Sequence, residues 1–144
     1  MEIISVDHDN KEKVLKFLRD ISLLHDINED VVMNGEFVFD EDIIGLLSFE
    51  EFHNLGLIRY FIFRRAVSEE IVLELFKKII EKAKKRKLAT LITLVIKKEA
   101  IEIFKSLGFY EINKEDVFIE ETAIEDTKFK DAYVLKYDVK KEKE

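Results

Sequence analysis

The sequence predicts an α+β protein, with a mixed β-sheet and helices packed on its faces. Strand-like and helix-like segments alternate along the chain in the order βα(α)βββαβαββ, which is typical of this class. Residues 88–96 form a continuous apolar run of strand length, as expected for a buried central strand. Apolar residues make up 47% of the 144 residues, enough to bury a core in one domain. We therefore expect a single domain over residues 1–140 with about seven strands in its sheet, followed by a charged tail at residues 141–144.

The first part of the chain is expected to start the sheet and to place a helix on it. Residues 2–6 alternate in the manner of a strand. Between residues 14 and 21, apolar side chains recur at helical spacing, and Asp9 is the expected N-cap of that helix. A short second helix is expected over residues 23–28.

Three strands are expected in the middle of the chain. Residues 31–39 are β-prone but are interrupted by Asn34 and Gly35, which signal a turn. Residues 43–52 and 57–63 are apolar runs, and the short segment between them suits a hairpin.

Two amphipathic helices are expected in the second half. Apolar residues share one stripe over residues 68–87, and each large side chain buried there contributes roughly 1.5–3 kcal/mol. Ser68 is a good N-cap for this helix. Residues 97–107 form the second helix, with Gly108 as its C-cap. The last strands are expected near residues 110–119 and 132–139.

Composition and charge narrow the range of partners. A net charge of −7 argues against nucleic acid, and the basic run at residues 82–87 is explained as the end of a helix. There is no apolar run long enough to span a bilayer and no signal-peptide pattern at the N-terminus. His8, His25 and His53 are scattered without metal-ligand spacing, so we expect no metal site. With no cysteine, a cytoplasmic location is expected.

Four segments occur in an order that is shared with a known family. They are DEDIIGLLSF at residues 40–49, LFKKIIEKAKKRKL at 75–88, AIEIFKSLGF at 100–109 and DAYVLKYDV at 131–139. The third is the most specific, because it matches the pattern A-x-x-L-Y-x-K-L-G-F at Ala100, Ile103, Leu107, Gly108 and Phe109. Over essentially the whole chain, the sequence resembles the GNAT superfamily of N-acetyltransferases. This resemblance implies a splayed central sheet with acetyl-CoA, or another acyl-CoA, in the cleft between the two middle strands.

The resemblance also implies where the cofactor diphosphate binds. The superfamily uses a loop of pattern Arg/Gln-x-x-Gly-x-Gly/Ala, because N–H groups at a helix start bind phosphate and glycines let the backbone approach. Here the loop aligns with residues 67–72 or 65–70; neither register contains a glycine, and both include Glu69 and Glu70. The cofactor contacts implied by the resemblance are Ile62, Phe63, Arg64, Arg65, Ser68, Glu70, Ile71, Val72 and Phe104.

Alternatives are open for the charged residues of this loop. Glu69 and Glu70 either point into solvent and complement the helix start, or occupy the phosphate position themselves. A carboxylate about 5 Å from a phosphate costs roughly 3 kcal/mol at an effective dielectric constant of about 20. A charge-assisted amide bond contributes roughly 1.5–3 kcal/mol, so one inward carboxylate offsets one or two loop contacts. Arg64 and Arg65 either bind CoA phosphates or, as we expect, pair with Glu69 or Glu70.

No residue is identified as catalytic from the pattern alone. Many GNAT members place a tyrosine where this chain has Phe104, which has no proton to donate to the departing thiolate. The asparagine that often precedes this helix corresponds to Lys97. Glu51 and Tyr60 are candidates for a general base because they lie on or beside the middle strands, and a surface or cleft-rim role is the alternative for each.

Three functions follow from these observations. The first is a divergent CoA-dependent N-acyltransferase acting on a small-molecule or protein amine. The second is a catalytically inactive GNAT-fold binding or regulatory domain that has lost acetyl-CoA. The third is an unrelated α+β interaction protein. The aromatic residues Phe61 and Phe63 belong to the core, to an apolar pocket or to a homodimer surface.

Overall fold

The computed structural model describes residues 1–22, 26–95, 98–113, 118–119, 122–123 and 133–139. The described strands are β1 Glu2–Ser5, β2 Glu36–Phe39, β3 Ile43–Phe52, β4 Leu55–Phe63, β5 Thr90–Val95, β6 Tyr110–Ile112, β7 Phe118–Ile119, β8 Thr122–Ala123 and β9 Tyr133–Asp138. The described helices are α1 Lys11–Ser22, α2 Glu29–Met33, α3 Glu69–Lys85 and α4 Ile101–Ser106, with a 3₁₀ turn at Lys98–Ala100 before α4.

Seven of these strands form one mixed sheet in the order β1-β2-β3-β4-β5-β9-β6. The β4–β5 pair is parallel, whereas β1–β2, β2–β3, β5–β9 and β6–β9 are antiparallel. The short strands β7 and β8 pair only with each other among the described residues. A mixed seven-stranded sheet with helices confirms the predicted α+β fold class.

The chain divides into two compact units, the first of which comprises Met1–Glu50 and Ile58–Lys82. Its core forms where the apolar stripe of α1 packs on β2 and β3, which is the expected result for an amphipathic helix beside a sheet. The core side chains are Val6, Val14, Leu15, Phe17, Leu18, Val32, Phe37, Ile43 and Leu46.

The first unit also contains most of the long helix. Leu75, Phe76 and Ile79 of α3 are fully buried, as their helical spacing predicts. The Phe76 ring makes an edge-to-face contact with Phe61 of β4, with ring centroids 5.4 Å apart. This contact orients the helix over the strand that precedes it.

The second unit comprises Glu51–Leu57 and Ala83–Glu144. The parallel register pairs Leu55 with Thr90 and Leu57 with Ile92, and β9 pairs with the whole of β5. Leu57, Ile92 and Val134 form a buried cluster on these strands. The continuous apolar run of β5 is therefore a central strand, as predicted.

The segment before β2 differs from the prediction. Residues 31–33 belong to a helix rather than a strand, because Asn28 caps α2 with its side chain, accepting hydrogen bonds from the N–H groups of Asp30 (3.0 Å) and Val31 (3.3 Å). Asn34 and Gly35 end this helix instead of forming a hairpin turn. A run of two or three apolar residues fits the period of a strand as well as that of a helix, so the Asn28 cap decided that this segment is helical.

Other boundaries also differ. Residues 26–28 of the predicted second helix are not helical, and residues 23–25, including His25, lie outside the described residues. The N-cap of α1 is Asn10 rather than Asp9, since the Asn10 carbonyl accepts the N–H of Val14. The predicted helix at residues 97–107 is a 3₁₀ turn followed by a short α4. Lys97 and the tail at residues 141–144 lie outside the described residues.

Candidate functional site

The start of α3 is capped by Ser68, and two of its main-chain donors have no partner among the residues that the structure describes. The Ser68 hydroxyl accepts a hydrogen bond from the Ile71 N–H at 3.3 Å, and the Ser68 carbonyl accepts from Val72 at 3.3 Å. The N–H groups of Glu69 and Glu70 have no hydrogen-bond partner in the described part of the chain. These donors and the positive end of the helix dipole form the kind of site that binds an anion.

The side chains of Glu69 and Glu70 are exposed to solvent. Neither carboxylate forms an ion pair or accepts a hydrogen bond from the described residues, so neither caps the helix itself. Of the two alternatives for these residues, the structure agrees with outward-pointing carboxylates that complement the helix start.

Arg64 and Arg65 contact the β2–β3 region, and the expected ion pair with Glu69 or Glu70 is wrong. Arg65 Nη2 lies 2.7 Å from a carboxylate oxygen of Asp40, in the acidic turn between β2 and β3. Arg64 Nε donates to the carbonyl of Ile43 at 3.3 Å, and its guanidinium lies 5.2 Å from the centroid of the Phe17 ring. The acidic turn was visible in the sequence, but only the fold brings it beside Arg65.

Ile62 and Phe63, at the end of β4, are half-buried. Ile62 packs against the core of the first unit. The Phe63 ring lies directly over Gly45 of β3, since a Cβ atom built on Gly45 would be 2.3 Å from Phe63 Cδ2. Phe61 contacts Phe63 edge to face at 5.5 Å, so both rings belong to the packing of this unit.

Tyr60 places a kink inside β4, because its φ is +54°. Left-handed backbone in a bulky residue is rare and costs about 1–3 kcal/mol. The Tyr60 hydroxyl accepts a hydrogen bond from the N–H of Asn28 at 3.0 Å, and the Arg59 guanidinium lies over its ring at 5.5 Å. No local sequence signal marks this kink, since Gly and Asn are the usual residues in such a conformation.

Glu51, the other candidate base, lies in the second unit near the β3–β4 hairpin. Its carboxylate is 2.7 Å from Arg86 Nη1, and both side chains are partly exposed. His53, at the tip of the hairpin, has a φ of +56°. The structure therefore places Glu51 in a surface ion pair.

Phe104 is buried in the second unit. Its ring packs edge to face on Phe109, with centroids 5.4 Å apart, and the Phe109 N–H donates to the Phe104 carbonyl at 3.1 Å. Gly108, with a φ of +106°, makes the left-handed turn that brings these two rings together. Phe104 thus contributes a buried apolar side chain to its unit.

Two further features bear on the range of functions. Within the described ranges, no group of three histidine or carboxylate side chains is arranged to hold a metal ion. None of the described helices has the length and apolar character needed to cross a bilayer.

No protein-family profile and no curated protein matches the sequence. The comparison with solved structures does find matches, and it supports the fold. N-acetylglutamate synthase from Neisseria gonorrhoeae, solved with coenzyme A and L-arginine, superposes with a TM-score of 0.70 and 17% identity. The match covers 95% of this chain and 32% of the synthase, so the chain spans about a third of its length.

Two other solved structures match along nearly their whole length. An acetyltransferase of the GNAT family from Staphylococcus aureus Mu50 has a TM-score of 0.66 at 16% identity, covering 96% of this chain and 98% of that one. Rv2747 from Mycobacterium tuberculosis, solved in complex with CoA, has a TM-score of 0.68 at 15% identity, covering 96% and 99%.

The sheet and these matches define an α+β fold built on a mixed seven-stranded sheet. More specifically, the chain has the GNAT fold, as its four sequence segments predicted.

Proposed function

We propose that this protein is a CoA-dependent N-acyltransferase, which transfers an acyl group, acetyl in the simplest case, from acyl-CoA to an amine. The observation that carries the proposal is the start of α3. There the N–H groups of Glu69 and Glu70 have no partner among the described residues, at the end of the segment that follows β4 in a GNAT fold. Crystal structures of two proteins with the same fold contain CoA.

The diphosphate of CoA would bind near residues 68–72, where the helix start offers main-chain donors. Two hydrogen bonds to a charged group contribute about 1.5–3 kcal/mol each. The carboxylates of Glu69 and Glu70 are exposed to water. A unit charge about 5 Å away across bulk water opposes a phosphate by about 0.8 kcal/mol, compared with the roughly 3 kcal/mol given above for an inward carboxylate at lower dielectric constant. The attraction therefore exceeds the repulsion, and the altered loop without glycine is compatible with weaker binding.

In the proposed reaction, the nitrogen of the amine attacks the carbonyl carbon of the thioester beside residues 62–64. A C–N bond forms, the C–S bond breaks, and CoA leaves as its thiolate while the amine loses a proton to a base or to water. Main-chain N–H groups of β4 would stabilise the charge that develops on the carbonyl oxygen.

The proposal also covers the proton acceptor, the amine substrate and the location of the protein. Glu51 and Tyr60 are the candidate residues, with Glu51 at present paired to Arg86. Phe104 supplies no proton, so departure of the thiolate does not depend on that residue. The acceptor is a small-molecule or protein amine, and a cytoplasmic location fits a chain without cysteine.

The test is a calorimetric titration of CoA and acetyl-CoA into the wild type and into Glu69→Gln and Glu70→Gln. We expect each substitution to strengthen binding by about fourfold, because it removes one opposing charge. Glu74→Gln, one turn further along α3 and also exposed, is the matched control and should bind as the wild type does.

Binding should be followed by thiol release from acetyl-CoA in the presence of a panel of amines. The absence of heat and of any thermal shift at millimolar ligand would contradict the proposal. Binding without thiol release would instead indicate an inactive GNAT-fold binding domain.

A further inference from the structure

The side chain of Tyr60 connects the kink of β4 to the start of α2. Tyr60 is half-buried, packs against the core of the first unit and has a left-handed backbone within a strand. Its hydroxyl accepts the main-chain N–H of Asn28, the residue that caps α2 with its own side chain. This hydrogen bond therefore joins the strand to the start of the helix.

The neighbours of Tyr60 hold it from the other sides. The Arg59 guanidinium lies over the Tyr60 ring and also forms an ion pair with Glu50 of β3. The Ser48 hydroxyl donates to the carbonyl of Arg59 at 3.2 Å. These contacts involve the Tyr60 ring and the neighbouring Arg59, and they link β4 to β3. The Tyr60 hydroxyl instead contacts Asn28, at the start of α2.

A costly backbone conformation persists only where the surrounding structure over-determines it, and such residues occur preferentially at functional sites. In β4 the residues that directly follow the kink, 61–63, lead into the segment that ends at the start of α3. A change at Tyr60 therefore changes the direction of the main chain that leads to the anion-binding helix start. The hydrogen bond from the Asn28 N–H to the Tyr60 hydroxyl couples the position of the start of α2 to this part of β4.

We propose that Tyr60 is a positioning residue. Its hydroxyl holds the kinked β4 against the N–H of Asn28, and thereby sets the main chain of residues 61–63 for the acyl group of acyl-CoA. The acyl group is the part of the ligand that reaches these residues, whereas the diphosphate binds at the start of α3. The identity of the ligand rests on the proposed function; the contact between Tyr60 and Asn28 does not.

The test compares Tyr60→Phe with Tyr110→Phe, which removes another hydroxyl that forms a hydrogen bond, in the second unit. In the absence of ligand, we expect amide hydrogen exchange at Asn28 to be about tenfold faster in Tyr60→Phe than in the wild type, since its hydrogen bond is lost. Tyr110→Phe should leave exchange at Asn28 unchanged.

The second measurement is the ratio of the affinities for acetyl-CoA and CoA, which a loss of stability alone would not change. We expect Tyr60→Phe to lower the affinity for acetyl-CoA by about fivefold while the affinity for CoA is unchanged. An unchanged ratio, or unchanged exchange at Asn28, would overturn the positioning role. Absence of CoA binding to the wild type would contradict the proposed function, and exchange at Asn28 would still report whether the contact exists.

A second pair of variants covers the case in which Tyr60→Phe does not fold. Asn28→Pro removes both the N–H donor and the capping side chain, whereas Asn28→Ala removes only the side chain. If the contact with Tyr60 sets the acyl site, Asn28→Pro should lower the acetyl-CoA to CoA affinity ratio by about fivefold relative to Asn28→Ala. Equal ratios in the two variants would overturn the proposal.

Discussion

Lys82 Nζ lies 2.8 Å from a carboxylate oxygen of Glu36, whose side chain is only 3% exposed. The same ammonium group donates to the carbonyls of Asn34 at 3.1 Å and Gly35 at 3.2 Å, and the Ser5 hydroxyl donates to Glu36 at 2.7 Å. Each of these polar groups thus has an ion-pair or hydrogen-bond partner within the network. The network attaches α3 to the end of α2 and the start of β2.

Replacing Lys82 by methionine should therefore be strongly destabilising. Lys82→Met leaves the buried Glu36 carboxylate without its counter-charge, and breaking one side of such a pair costs about 3–5 kcal/mol. Lys78→Met, at an exposed position one turn earlier on α3, is the matched control and should stay within about 0.5 kcal/mol of the wild type. Urea denaturation measures the free energy of unfolding of both variants. Equal effects of the two substitutions would contradict a structural role for the buried pair.

Gly45 is required because the Phe63 ring occupies the space of its missing side chain. Gly45→Ala should lower the free energy of unfolding by about 1–3 kcal/mol, since the ring must move out of a packed position. Phe63→Leu in the same chain should recover part of that loss, because its smaller side chain makes room for the new methyl group. A double-mutant cycle gives the coupling, and strictly additive effects would show that the two residues do not compete.

Substituting tyrosine for Phe104 should not restore a proton donor without a cost in stability. Phe104 is 4% exposed and packs on Phe109, so a new hydroxyl must find a partner or stay unsatisfied, at a cost of about 1–3 kcal/mol. Phe39→Tyr, at a position that is 37% exposed, is the control and should be close to neutral. Thermal unfolding distinguishes the two, and an equally stable Phe104→Tyr would show that the hydroxyl reaches water or a polar group.

Tyr110 is expected to make stability depend on pH in the alkaline range. Its hydroxyl donates to Asp138 at 2.7 Å, and this hydrogen bond, with smaller effects from burial and from the Asp138 charge, raises the pKa of Tyr110 above its ordinary value near 10. A pKa raised in the folded state stabilises the protein fully below the unfolded pKa. That contribution is lost as pH rises through the folded pKa.

Absorbance of the phenolate group measures this directly. The wild type has four tyrosines, and the titration of Tyr110→Phe should lack a step that lies above pH 10 in the wild type. The stability difference between the two proteins should be constant below about pH 10 and should shrink above it. If the step that disappears in Tyr110→Phe has an ordinary tyrosine pKa in the wild type, the hydrogen bond from Tyr110 to Asp138 is contradicted.

Much of the fold could be predicted because periodicity is a local property of the chain. The apolar stripe of α3, the continuous run of β5 and the long strand β3 all appear at or near their predicted positions. The short helix α2 was missed because three apolar residues fit a strand as well as a helix. Its start depends on the Asn28 cap, a signal that is weaker than the apolar pattern.

By itself, the sequence determined the fold class, the place of the long helix and its Ser68 cap, because apolar spacing and capping residues act within a few positions of one another. The tertiary structure alone decided that Arg65 pairs with Asp40, that Phe63 covers Gly45 and that Tyr60 bends β4 against Asn28. Each of these pairs is separated by 18 or more positions in the chain. Such contacts arise only when the sheet brings distant strands and helices together, and no local pattern encodes them.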